Sequence, residues 1–301
     1  MTSPVATGFF GLASATSWGA GDFSGGLATR RAPVFTVAGV AKGASFVAMV
    51  ICALGWAEPF PSRAALAWGG AAGLGGALGL LCLYQGLALG TMSIVAPLSA
   101  VIAACIPVGF AARYQGLPSG WQGAGFGLAF LGVWFVSAPG EPAPPGQRAE
   151  SIDERRKTTG LILAVLAGLG FGAFYICISR ARTAGVFWPL AATQFSTLLV
   201  VLAAACGAAL FRYRTAGLPM ARAVLLRLVL LMLLAGLLDA GGNAFFVLAE
   251  HAGRLDVAAV LASLYPASTV VLARALLKER VSRRQALGVA AALVSIPLIV
   301  G

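Results

Sequence analysis

Three ionisable side chains, Asp22, Lys42 and Asp239, lie inside long apolar runs. A charge placed there is costly unless a partner, water or a ligand faces it, so each marks a candidate site. Asn243 follows Asp239 by four residues, which puts both on one face of a helix. A carboxylate and an amide so arranged can hold a cation or an ammonium group, and the carboxylate can exchange a proton. Trp18 precedes Asp22 at the same spacing. Asp22 lies about six residues before the end of its run, and Lys42 about nine residues into the next. On adjacent antiparallel helices the two reach similar depth, ~9–13 Å from the interface at ~1.5 Å per residue. Two roles are open to them: an ion pair, or a coupling group that handles a proton or another ion. The expected polar contacts of a small-molecule site are Asp239, Asn243 and Gln85. The expected aromatic walls are Trp18, Tyr84 and Tyr265.

Other groups carry less. Glu250, His251, Arg254 and Asp256 straddle a break between runs and read as a solvated turn. Cys52, Cys82, Cys105, Cys177 and Cys206 all fall inside apolar runs without a CxxC spacing, so neither a metal site nor disulfides are expected, and no cofactor. The glycine pairs Gly69/Gly73, Gly75/Gly79 and Gly123/Gly127 are spaced for helix packing. They lack the strand that a phosphate-binding loop requires before it. Pro97 and Pro107 interrupt the fourth run, and Tyr265-Pro266 the ninth.

The elements that position these residues follow from composition. Of the 301 residues, 59% are hydrophobic and 10% charged, with a mean hydropathy of +0.90. A soluble domain carries about 25% charged residues, so too little polar surface is present to cover a water-soluble globule. The apolar residues form runs long enough to cross a bilayer. Ten spans are expected, at about 5–28, 34–56, 65–89, 92–112, 121–138, 158–179, 187–210, 224–249, 256–277 and 284–301. The break at Gly90-Thr91 is the faintest; it is required because 65–112 is too long for one crossing of a ~30 Å core. The first run does not read as a cleaved signal peptide. The net charge of +11 sits between the runs, so it sets orientation and gives no reason to expect nucleic acid.

The spans divide into two halves, 1–138 and 158–301, joined by a Pro-rich, charged linker over 139–157. A shift of 163 residues lays Gly90 on Gly253, Leu98 on Leu261, Ser119 on Ser282, Gln122 on Gln285 and Gly125 on Gly288. Of the 21 Lys and Arg residues, Lys42 lies within a span, and Arg63, Arg113, Arg180, Arg182 and Arg254 fall in even-numbered loops. The other fifteen fall in odd-numbered loops or at the span ends that border them. The positive-inside rule places the odd loops in the cytoplasm and both termini outside. Similar halves with opposite charge placement have opposite orientation, which is an inverted repeat.

Gly253, Ala258-Ala259-Val260-Leu261-Ala262-Ser263-Leu264-Tyr265-Pro266, Leu277-Lys278-Glu279-Arg280 and Gln285-Ala286-Leu287-Gly288 resemble the second repeat of EamA-type transporters of the drug/metabolite transporter superfamily. Trp18-Gly19-Ala20-Gly21-Asp22-Phe23 resembles the end of that family's first helix. The resemblance implies two inverted five-helix repeats around a cavity lined by helices 1, 3, 4, 6, 8 and 9. It also implies metabolite or amino-acid export without ATP. Gly116 stands where a match to Glu279 would fall. The family is commonly drawn with cytoplasmic termini, opposite to the orientation that the loop charges give. The expectation is an all-α integral membrane protein of ten transmembrane helices, multi-pass in the bacterial inner membrane. Its expected partners are the lipid bilayer, a small-molecule substrate and protons or another coupling ion. Its expected function is secondary transport, exporting a small polar metabolite such as an amino acid by alternating access. A non-transporting scaffold or sensor is the alternative, ahead of a membrane-embedded enzyme.

Overall fold

The computed structural model describes residues 3–89, 92–137, 154–181, 185–211, 222–277 and 282–300. Among these the chain forms eleven helices: α1 (Pro4–Thr29), α2 (Val34–Gly55), α3 (Arg63–Leu89), α4 (Met92–Tyr114), α5 (Gly120–Val136), α6 (Glu154–Arg180), α7 (Phe187–Phe211), α8 (Arg222–Ala252), α9 (Leu255–Ala262), α10 (Tyr265–Leu277) and α11 (Arg283–Val300). In hydrocarbon every backbone N–H and C=O must be satisfied within its own segment, and a helix does this. Among the described residues seven helical stretches, with Leu255–Leu277 taken as one, are long and apolar enough to cross a membrane. The chain is thus an all-helical, multi-pass membrane protein. The apolar helix α5 (Gly120–Val136) is shorter, and α4, with 23 residues, is long enough. The 26-residue α1 is long enough but less apolar, because it is rich in Gly, Ser and Thr.

Each expected span falls on a helix, with two differences. α6 begins at Glu154, inside the expected linker. The ninth span is broken at Ser263-Leu264, between α9 and α10, where Pro266 cannot donate a backbone hydrogen bond. Pro97 and Pro107 do not end α4, which continues past both. The faint break at Gly90-Thr91, most of the linker, Arg182 and Glu279 lie outside the described residues.

Residues paired by the 163-residue shift make similar local contacts. Ser119 and Gln122 form a capping box at the start of α5, with Ser119 N–H donating to Gln122 Oε1 (3.1 Å) and Gln122 N–H to Ser119 Oγ (3.2 Å). Ser282 and Gln285 repeat it at the start of α11, at 3.0 and 3.2 Å. α5 and α11 pack against each other. A Cβ on Gly125, early in α5, would lie 2.7 Å from Ile299, late in α11; one on Gly288, early in α11, would lie 2.7 Å from the Gly132 carbonyl, in the second half of α5. The other main contacts are α3 on α6 and α1 on α8, α4 on α6 and α1 on α9 and α10, α3 on α7 and α2 on α8, and α2 on α7.

Small residues set these contacts. A Cβ on Gly170 of α6 would stand 2.6 Å from Gly79 N and 2.7 Å from the Gly75 carbonyl of α3. On Gly69 and Gly73 it would collide with backbone of α7. Gly123 and Gly127 have no such neighbour, so the packing expected of that pair belongs to Gly125 and Gly132 on another face of α5.

Burial differs between the two ends of the bundle. One end carries the α8–α9 turn and the start of α1, where Ser3 N–H donates to the Ala252 carbonyl (2.9 Å). All eight residues of α9, at this end, are buried, whereas no residue of α10, leading to the other end, is.

Candidate functional site

α2 meets α8 where Gly236 lets the backbone of Ala41 approach. The Ser45 hydroxyl can donate to the Gly236 carbonyl (2.6 Å) or to Asp239 Oδ2 (2.8 Å). This contact brings Lys42 Nζ to 2.8 Å from Asp239 Oδ2. Gln194, fully buried on α7, completes the group: its Nε2 donates to Asp239 Oδ2 (2.7 Å), and its Oε1 accepts from Lys42 Nζ (3.5 Å). The side chains of Lys42 and Asp239 keep 19% and 26% of their exposure, so the pair is half-buried and still reachable. Asn243 Nδ2 donates to the Asp239 backbone carbonyl (2.6 Å), one turn back on α8.

Asp22 does not pair with Lys42. Among the described residues nothing hydrogen-bonds to it, and its side chain is exposed although protein surrounds it. The charges that bear on it are those of Asp239 and Lys42. α1 is held against α8 by Ser14 and Ser17, whose hydroxyls donate to the Gly242 (2.8 Å) and Leu238 (2.7 Å) carbonyls. Gly21 fits beside Ala235 and Asp239. Depth arguments along single helices put Asp22 and Lys42 level; rotation of α8, fixed by Gly236, decides that Asp239 takes the lysine.

One turn from Asp22, Trp18 lies on the side toward the α8–α9 turn. Its ring centroid is 6.0 Å from Phe246, 6.2 Å from Tyr175 and 6.4 Å from Phe174. A side chain at Gly242 would collide with the indole. The backbone of Tyr265 abuts Gly19 of α1, and its side chain packs against the cluster of Ala15, Phe126 and Val133. Gln85 is exposed near the end of α3, and the side chain of Tyr84 lies outside the described residues. The opposite face of α1, with Phe9, Ala13, Thr16 and Ala20, lines an open apolar groove of about 500 Å³ with Leu238 and Phe245.

The turn between α8 and α9 is not a solvated one. Asp256 is 0% exposed and Glu250 1%. Arg254 binds Asp256 Oδ2 (2.7 Å) and also donates to the Gln115 (3.2 Å) and Gly116 (2.7 Å) carbonyls just beyond the end of α4. Its hydrogen bond to Asp256 holds the guanidinium above its ordinary range, against the opposing effect of burial. Glu58, in the α2–α3 loop, accepts from the backbone N–H of Val186 (2.9 Å) and Phe187 (3.0 Å) at the start of α7, where a carboxylate favours the helix dipole. Gly185, with φ of +94°, makes the turn into this contact; a Cβ there would stand 2.8 Å from the Glu58 carboxylate.

Sequence reading passed over Gln194 and Ser45. Gln194 had a signal: it is the amide in a run whose other polar residues, Thr193, Ser196 and Thr197, are small hydroxyls. Ser45 had none, since serine also packs helices.

Residues 158–301 match the model of the EamA-like transporter family. No curated protein matches the chain. A protein of known crystal structure is similar over 99% of this chain and 96% of its own, with a TM-score of 0.71 at 17% identity. At that identity the likeness shows the fold alone.

Proposed function

We propose that the whole chain is a secondary transporter that exports a small polar metabolite, such as an amino acid, by alternating access; the match of residues 158–301 to the EamA-like transporter family, within the drug/metabolite transporter superfamily, supports this. Ten spans in two inverted repeats are part of this reading. The reciprocal α5–α11 contact, the twin capping boxes and the exchanged pairs of helix neighbours support it. So does the burial difference between α9 and α10: the bundle is sealed at the α8–α9 end and looser at the other. With the odd loops cytoplasmic, that arrangement faces the cytoplasm. The membrane is the bacterial plasma membrane.

The observation that carries the reading is the polar group inside the bundle, Asp22 beside the Lys42–Asp239–Gln194–Ser45 network. A scaffold or sensor would satisfy these groups internally, and Asp22 is not satisfied by any described residue. Asp239 organises the substrate's polar contacts and Asn243 fixes the backbone beneath it. Trp18 forms the wall, and Asp22 is the group free to bind substrate or a coupling ion. Asp239→Ala is expected to abolish flux in proteoliposomes, with the folded fraction normalised by size-exclusion chromatography. Flux at the wild-type rate would sink the assignment.

A further inference from the structure

We propose that the interior site takes a substrate bearing a positive charge, an ammonium or guanidinium group, held by the carboxylate of Asp22; this rests on the transport reading above. Lys42 is already matched: Asp239 faces it at 2.8 Å, and Gln194 and Ser45 fill the surrounding hydrogen-bond positions. The pair is neutral as a unit. Asp22 stands outside it, with Asp239 and Lys42 as the charges that bear on it. With Asp22 ionised, the group carries one negative charge in excess. An unmatched carboxylate within a span costs about 2.5–3.5 kcal/mol on insertion scales, which a bound cation offsets.

Space and surroundings agree with that occupant. Gly25 and Gly26 lie on the turn that follows Asp22; a Cβ on Gly26 would meet nothing within 4 Å, and one on Gly25 only Ala235, at 3.9 Å. The glycines leave room beside the carboxylate. On the sealed side lies the half-buried Trp18, backed by the buried Phe174, Tyr175 and Phe246, and an indole face attracts cations. An anion would meet two carboxylates and one already-paired lysine. A neutral solute would gain nothing from Asp22.

The test uses the full chain in proteoliposomes and labelled probes of near-equal shape that differ in charge: arginine against citrulline, and lysine against norleucine. The charged member of each pair is expected to move at least about tenfold faster. Asp22→Asn should bring the ratio to about one, and Asp22→Glu should keep most of it, which separates loss of charge from loss of fold. Equal rates for charged and neutral probes, or a preference that survives Asp22→Asn, would overturn the proposal and leave transport standing. If no probe moves faster than in protein-free liposomes, the transport reading fails and this one with it.

Discussion

Lys42 and Asp239 hold each other at the point where α2, α7 and α8 meet, and neither is tolerable there alone. Removing one partner leaves the other charge uncompensated in a low-dielectric setting. Lys42→Met or Asp239→Asn is expected to destabilise the fold by about 3 kcal/mol, the low end of the range for buried pairs because both side chains keep some exposure. The double variant should recover most of that loss, since the pair removed together leaves no orphan charge. Unfolding midpoints in detergent, combined as a double-mutant cycle, measure the coupling; additive losses would contradict it. Asn243 is a different case. Its bond to the Asp239 carbonyl is local to α8, and membrane hydrogen bonds average about 0.6 kcal/mol. Its importance therefore lies in flux more than in stability.

At the scale of elements, the helices are positioned by glycines that face backbone and not by those that merely share a spacing. Gly170 sits against Gly75 and Gly79, where a Cβ would come within 2.6 Å of the Gly79 nitrogen. Gly170→Ala must push α3 and α6 apart, and a loss of about 1–3 kcal/mol is expected. Gly123→Ala, with nothing in reach, should stay within about 0.5 kcal/mol of wild type. Equal effects in a denaturation series would show that the α3–α6 contact is not close. The spacing of four was legible in the sequence for all three glycine pairs. Which pairs meet a partner was not, because that depends on how each helix is rotated about its axis.

The molecule as a whole is asymmetric across its thickness. α9 is buried along its length and α10 is not. Arg254 ties the α8–α9 turn to the end of α4, and Glu58 ties the α2–α3 loop to α7. Single cysteines in a cysteine-free background test the consequence. Arg31→Cys and Gly26→Cys should react with an impermeant maleimide from the cytoplasmic side, and Leu117→Cys from the other. The reverse pattern would invert the orientation given by the loop charges. A Gly26→Cys that reacts from neither side would rule out an open path to Asp22.

The sequence by itself determined the helices and nearly all of their limits, because hydrocarbon demands long apolar runs and loops break them with charge, Pro and Gly. It also located Asp22, Lys42 and Asp239 as groups needing an explanation, since charge inside a run is costly wherever the run goes. Those facts belong to position along a helix axis. Tertiary structure alone decided what each group faces: Lys42 meets Asp239 and not Asp22, Gln194 enters from α7, and the side chain of Tyr265 packs away from Trp18. These outcomes turn on rotation and close approach, set by Gly236 and Gly21 against their neighbours, and a one-dimensional pattern carries no record of either.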